Sequence, residues 1–387
     1  MRILNARLTG FRNLEDLEIT FTSGVNVLLG HNGQGKTNIL EALNFFALGR
    51  SHRGARNEEL VRLDGEHLHV ALEIQRDDLS TSSCEFGLDR AGGRRFKLDG
   101  DPVMRRIDLV GELSTVFFWP ESVDLVRGGP ELRRRFADQG LSGLDAEYLT
   151  ALTAYQRALR QKSRLLRDVR RGLRSEADAR QELVAWNRDL ARHSVTIGRG
   201  RRRWSSELAP HAAEAYSLLS GSEARLDVTY QPKLDSLSAG SPETEEEQLE
   251  RDILAEFDYI VPEEIRRGRP LLGPHLDDFK VRLQSDVGLG DLDLRVYGSQ
   301  GETRSAAIAM ILAQSDVVHQ RRQVRPVLFL DDIFSELDRE RARRLQERCA
   351  RDHQVFIATA RRDDVEGWQP EHLRCWQVED GRLILTP

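Results

Sequence analysis

Apolar and polar residues alternate from Ile3-Leu4 through Leu8, and again at Leu17, Ile19 and Phe21, which predicts two half-buried strands at the start of the chain. The run Val25-Asn26-Val27-Leu28-Leu29 lacks that alternation and predicts a strand covered on both faces. A glycine-rich loop and a helix pattern from Lys36 to Leu48 follow it. Further strands are expected at His67 to Ile74, Cys84 to Leu88 and Ser114 to Phe118. From about residue 130 to 210 the period changes. Leu149, Leu152, Tyr155 and Leu159, then Leu183, Trp186 and Leu190, fall three and four apart, the spacing of amphipathic helices. An acidic stretch, Lys233 to Asp258, reads as an exposed loop leading into a short helix. Strand character returns at Phe279 to Leu283 and Leu292 to Val296. A helix is expected from about Thr303, a strand at Val327 to Leu330, another helix, and a strand at Val355 to Ala358. The pattern predicts an α/β protein whose residues 1–125 and 270–387 form one domain, interrupted by a mainly helical domain at 126–269. Neither fixed-period repeats nor sustained heptads are visible.

The 387 residues carry 57 Lys+Arg against 63 Asp+Glu, a net charge of −6, so a polyanion would have to bind a local patch. Cys84, Cys349 and Cys375 lie far apart without a CxxC spacing, which fits neither a disulfide framework nor a zinc site. No apolar stretch approaches the roughly 18 to 20 residues of a membrane span, and the start lacks a secretory pattern. A cytoplasmic protein without a membrane partner is expected.

Gly30-His31-Asn32-Gly33-Gln34-Gly35-Lys36-Thr37 matches G-x-x-x-x-G-K-[ST] between a buried strand and a helix. In that setting backbone N–H groups wrap the β-phosphate of a nucleotide and Lys36 reaches the β and γ oxygens. The Thr37 hydroxyl is then free to ligate Mg²⁺, and Asn38 continues the helix start. ATP with Mg²⁺ is the expected ligand. Val327-Leu328-Phe329-Leu330-Asp331-Asp332 has the form of a Walker B strand. Successive side chains point oppositely, so Asp331 is expected to hold Mg²⁺ with Thr37, while Asp332 orients the attacking water. Roughly 295 residues separate Lys36 from Asp331, room for a whole inserted domain. Ser299-Gln300-Gly301-Glu302 is a capping box before an Ala-rich helix, and it also has the form of the signature motif of ABC-type ATPases. Both readings hold together, because a helix N-terminus attracts anions. Ser335-Glu336-Leu337-Asp338 has the form of the D-loop of that superfamily, although it could simply start the next helix.

Further motifs accompany these. They are Gly10-Phe11-Arg12-Asn13, Gly49-Arg50-Ser51-His52-Arg53, Glu59-Leu60-Val61-Arg62, and Phe118-Trp119-Pro120-Glu121 running on to Gly129-Pro130 and Arg133-Arg134-Arg135-Phe136. Gly273-Pro274-His275-Leu276-Asp277-Asp278 and Leu330-Asp331-Asp332-Ile333-Phe334 complete the set. Together they resemble the RecF family of bacterial recombinational repair ATPases, and the match is scattered from end to end. The resemblance implies an ABC-type P-loop ATPase head with a mixed sheet and a modest helical arm. It implies an ATP-dependent homodimer, with nucleotide held by Gly30 to Asn38 and Arg12 of one subunit and by Ser299, Gln300, Gly301 and Asp338 of the other. Slow hydrolysis through Asp332 and Lys36 is implied, as is binding to gapped duplex and single-stranded DNA without sequence preference. RecR, RecO and RecA are the implied partners in DNA repair and recovery of replication forks. Three departures from ABC ATPases at large stand out. Thr359 occupies the position of the usual switch His, and its role is open. No Gln stands near Glu121 for a Q-loop. Asp332 takes the place of a Glu.

Between Thr150 and Trp204 there are 15 Lys+Arg and 5 Asp+Glu. Arg160, Lys162, Arg164, Arg167, Arg170 and Arg171 in this excess are candidate DNA phosphate contacts, with Arg199 to Arg203 nearby; the alternative is a solvated helix face. Trp186 and Trp204 read as core. A transporter ATPase subunit keeps its Walker elements about 120 residues apart, which disfavours that reading. An SMC-like tether would need sustained heptads. A clamp that binds ATP without cleaving it remains open.

Overall fold

The computed structural model describes residues 1–387 except 52, 240–243, 285–290, 351–352, 367, 369–372 and 387, so His52 of the Gly49 motif and part of the acidic segment lie outside the described residues. The chain divides into two compact units, residues 1–126, 211–225 and 298–387 in the first and 127–210 and 226–297 in the second.

The first unit contains two six-stranded sheets. Arg2–Thr9 (β1), Leu17–Thr20 (β2), His67–Gln75 (β4), Thr81–Asp89 (β5), Arg94–Leu98 (β6) and Asp101–Val103 (β7) form an antiparallel sheet ordered β2-β1-β4-β5-β6-β7. Val25–Leu29 (β3), Thr115–Phe118 (β8), Val327–Asp331 (β12), Val355–Thr359 (β13), Leu373–Glu379 (β14) and Arg382–Thr386 (β15) form the other, ordered β15-β14-β3-β13-β12-β8. It is parallel from β14 to β8, with β15 antiparallel at the edge. β12 and β13 are buried at every position, as uninterrupted apolar runs in a parallel sheet require. Helix α1 (Lys36–Leu48) contributes Ile39, Leu40, Phe45 and Phe46 to one core with residues of both sheets, and Phe45 stacks on Phe86 at 4.1 Å. The parallel order brings the carboxyl ends of β3, β12 and β13 to one edge, where α/β sheets bind ligands. Also in this unit are α8 (Gln300–Arg322) and α9 (Arg339–Ala350).

The second unit contains α2 (Pro130–Leu144), α3 (Ala146–Arg170), α5 (Asp235–Ala239), α6 (Glu246–Arg267) and α7 (Leu294–Tyr297). The boundary between units crosses α4 (Glu176–Ser220) at Pro210. Trp204 is fully buried edge-on to Phe136 and Phe279, with ring centroids 5.5 and 5.4 Å away. Trp186 is half-buried against a small cluster around Leu166 and Leu183. Arg201 is fully buried and ion-paired with Asp138 (3.0 Å) and Asp277 (2.9 Å), the compensation a buried cation needs.

Several sequence expectations differ from this. The second unit includes a three-stranded sheet of Arg225–Gln231 (β9), Asp278–Gln284 (β10) and Asp291–Asp293 (β11), ordered β11-β10-β9. The strand expected at Phe279 to Leu283 therefore pairs with β9 and β11, and the chain re-enters the first unit at Gly298. The strand expected at Leu292 to Val296 stops at Asp293, where the helical turn α7 begins. The acidic segment, Lys233 to Asp258, is not a loop into a short helix: α5 lies within it, and the 22-residue α6 starts inside it at Glu246. Among the described residues no helix is long and apolar enough to cross a membrane.

Candidate active site

The phosphate loop joins β3 to α1, and its shape depends on glycine. Gly33 and Gly35 have φ of +84° and +109°, in the left-handed region that favours glycine, and Gly35 is the residue from which α1 starts. A Cβ on Gly30 would lie 2.4 Å from the Val378 carbonyl oxygen of β14, so the strand exit tolerates no side chain. His31, Asn32 and Gly33 are exposed at the crest. Lys36 is buried, its Nζ donating to the carbonyl oxygens of Gly30 (2.6 Å) and His31 (2.9 Å). Burial lowers its pKa, and Asp331 and Asp332 act in the opposite direction.

Thr37 Oγ1 donates to Asp331 Oδ1 at 3.0 Å, joining the two halves of the site across 294 positions of sequence. Among the described residues no group of three or more His, Cys, Asp or Glu could hold a metal alone. Mg²⁺ commonly takes one or two protein ligands and completes its shell with phosphate oxygens and water, and a hydroxyl beside a carboxylate at a phosphate loop fits that demand. Asp332 follows at φ +50°, a conformation Asp tolerates better than most residues, and its N–H donates to the Ala358 carbonyl (2.9 Å). The Asp331 carboxyl is pushed up to about 6, first by burial and then by Asp332; the Thr37 hydrogen bond, Arg53 and Lys36 oppose the shift.

That shift has a measurable consequence. A raised folded value means the folded chain holds the proton more tightly than the unfolded one. The stabilisation is full below about pH 4 and is lost as pH rises through about 6. Replacing Asp331 by Asn removes the titration. The melting temperature of nucleotide-free Asp331→Asn should therefore gain on the parent between pH 4 and 7, by an amount equivalent to about 2 kcal/mol. A difference that does not vary with pH would contradict this reading of the buried carboxyl.

Ser299 caps α8 in a full capping box. Its N–H donates to Glu302 Oε2 (2.8 Å), and its Oγ accepts from the Glu302 N–H (3.3 Å). Gln300 and Gly301 form the first turn. Asp338 precedes α9, exposed, with Arg341 holding its carboxyl below the ordinary range. Arg12 is committed to the fully buried Glu41, with hydrogen bonds of 2.7 and 3.1 Å, and has φ +49°. Its expected part in nucleotide binding therefore competes with an ion pair that anchors α1.

Thr359 is fully buried, and its hydroxyl donates to Asp364 while accepting from the Arg361 N–H (3.1 Å). It shapes the loop at the switch position. The exposed charge there belongs to Arg361, paired with Asp364 at 2.8 Å and supported more weakly by Asp332. A second omission of the sequence reading is the turn between β14 and β15. Asp380 N–H donates to Gln34 Oε1 (2.6 Å), and Gly381 N–H donates to the Gln34 carbonyl (3.0 Å), which braces the phosphate loop. Asp380-Gly381, with both φ positive, is the two-residue hairpin signature that could have revealed it. Asn13 adds a third brace by accepting from Asn38 Nδ2 (2.6 Å).

In the arm, Arg160, Arg164, Arg167, Arg170 and Arg171 are exposed on α3 and the turn after it. Lys162 is a correction. It is fully buried against Glu264 (2.7 Å) and over the Phe257 ring, because its neighbours on that helix face are core, and it cannot meet a phosphate. Arg201 is likewise internal.

The family model described as "RecF/RecN/SMC N terminal domain" matches residues 2–382. The "DNA replication and repair protein RecF" of Lactobacillus acidophilus is 32% identical over 378 residues, covering 97% of this chain and 96% of that protein. Two solved structures of "the recombination mediator protein RecF" in the RecFOR pathway, described as RecF-ATPrS and RecF-ATP, superpose with TM-scores of 0.87 and 0.84. Each is 28% identical and covers 100% of this chain, with 98% and 97% of the solved chains covered.

Proposed function

This chain belongs to the RecF/RecN/SMC N-terminal domain family of ABC-type ATPases, and from that premise we propose that it is an ATP-gated DNA repair switch. Two copies close with each phosphate loop facing the other's Ser299-Gln300-Gly301 and Asp338, and ATP completes both pockets. The observation that carries the reading is the Thr37 to Asp331 hydrogen bond, which assembles one half of a triphosphate site while Ser299 and Asp338 stay exposed on the same unit. When bound, Mg²⁺ neutralises phosphate charge and fixes its orientation. Thr37 and Asp331 would hold it; Lys36 supplies a cation to the phosphates, and Asp332 orients water and takes up its proton. The short carboxylate and its strained backbone suit slow turnover, stimulated by DNA.

The exposed arginines of α3 support sequence-independent binding to gapped duplex and single-stranded DNA. Among the described residues Arg160, Arg167 and Arg171 have no carboxylate partner, which leaves them open to phosphate. RecO and RecR as partners, and loading of RecA, follow from the resemblance and from the RecFOR description of the related structures.

The test is ATP turnover with and without gapped duplex, for the parent and Asp332→Asn. The substitution should lower turnover roughly 10²-fold while ATP-dependent association persists. Equal turnover would remove Asp332 from the chemistry, and a parent that never hydrolyses ATP would make the protein a clamp.

A further inference from the structure

Helix α9 opens with Arg339, Glu340 and Arg341 in its first turn and Asp338 just before it. Glu340 is taken up by Arg344 one turn on. Asp338 holds Arg341, its Oδ1 accepting from the Arg341 backbone N–H (2.9 Å) and its Oδ2 from Nη1 (2.8 Å). Among the described residues that is the one side-chain partner of the Arg341 guanidinium, which has five N–H donors and is about one-third exposed, at 31%.

Its position is set by a glycine. A Cβ built on Gly301 would lie 3.3 Å from Arg341 Nη1 and 3.5 Å from Nη2, so the guanidinium rests over the first turn of α8. The positive starts of α8 and α9 and a full cation thus meet beside Ser299 and Asp338. Glu302, the carboxylate of that turn, is occupied in the capping box.

We propose that Arg341 binds the terminal phosphate of the nucleotide held by the partner's phosphate loop, with Asp338 orienting the guanidinium beforehand. The inference rests on the paired reading above and deepens it. A planar fork with unused donors suits a phosphate, and ATP, unlike ADP, carries the terminal phosphate that such a fork would bridge. Arg341 thereby makes pairing selective for ATP over ADP.

Full-length parent, Arg341→Ala and Arg341→Lys are compared by sedimentation with MgATP or MgADP, by titration with a fluorescent ATP analogue, and by hydrolysis. Arg341→Ala should bind the analogue as the parent does, since the loop is intact, while its MgATP-dependent association weakens about tenfold or more. Arg341→Lys should recover part of it. Mixing Arg341→Ala with Lys36→Ala should restore hydrolysis above the sum of the two, because one site of the mixed pair has both residues. A role confined to holding Asp338 would be complemented in the same way, since Asp338 faces the same loop; Asp338→Asn separates the two, because it should keep the preference of pairing for MgATP over MgADP that Arg341→Ala loses. Normal pairing of Arg341→Ala, or no gain on mixing, would overturn the inference while leaving the paired reading intact. A parent that stays monomeric in MgATP would remove both.

Discussion

Lys36→Ala is expected to lose ATP binding by at least about 10²-fold while keeping its fold. The amine is buried at the head of α1, donating to the carbonyls of Gly30 and His31, and it lies within electrostatic reach of Asp331 and Asp332. Removing it takes the cation from the phosphate path and leaves the two carboxylates that act on it with one positive charge fewer. A triphosphate would then approach net negative charge at short range, where repulsion is strong. The fold should survive, because the turn is set by Gly33, Gly35 and the Gln34 braces, which do not involve Lys36. Titration with a fluorescent ATP analogue, alongside a melting curve, checks it. Unchanged affinity would take the phosphate-loop assignment away.

Much of this site was legible because its chemistry is local. Gly30 to Thr37 is contiguous, and the strand before it and the helix after it announce themselves by apolar runs. Ser299 and Glu302 declare a capping box within four residues. The pairing of Thr37 with Asp331 is distant in sequence, yet each end carries its own pattern. What escaped was non-local or carried by polar edges. β6, with the sequence Arg-Arg-Phe-Lys-Leu, pairs between β5 and β7, and only Phe96 and Leu98 of its five residues are partly buried, too short an alternation to read. Lys162 belongs to a charged run, and only its partner Glu264, far along the chain, explains its burial. Arg201 is tied to Asp138 and Asp277 in the same way. Thr359 stood at the switch position in the sequence, but its bond to Asp364 and the outward charge of Arg361 depend on a loop fold that composition does not reveal.

The second large effect concerns Ser299. Its side chain does two jobs that substitution can separate. As N-cap it satisfies the Glu302 N–H, a contribution of about 1 kcal/mol that Asp can supply equally well. As an exposed hydroxyl at the start of α8, it would donate to a phosphate on the partner. Ser299→Asp keeps the cap and sets a negative charge against that phosphate; Ser299→Arg blocks the approach by bulk. Both variants should bind nucleotide as monomers, because Lys36, Thr37 and Asp331 are untouched. Sedimentation velocity of the parent and Ser299→Arg, with and without MgATP, is the most direct measurement of the whole account. The parent should shift from monomer to dimer on adding MgATP, and Ser299→Arg should remain monomeric while still binding the nucleotide. A Ser299→Arg protein that pairs as readily as the parent would contradict it.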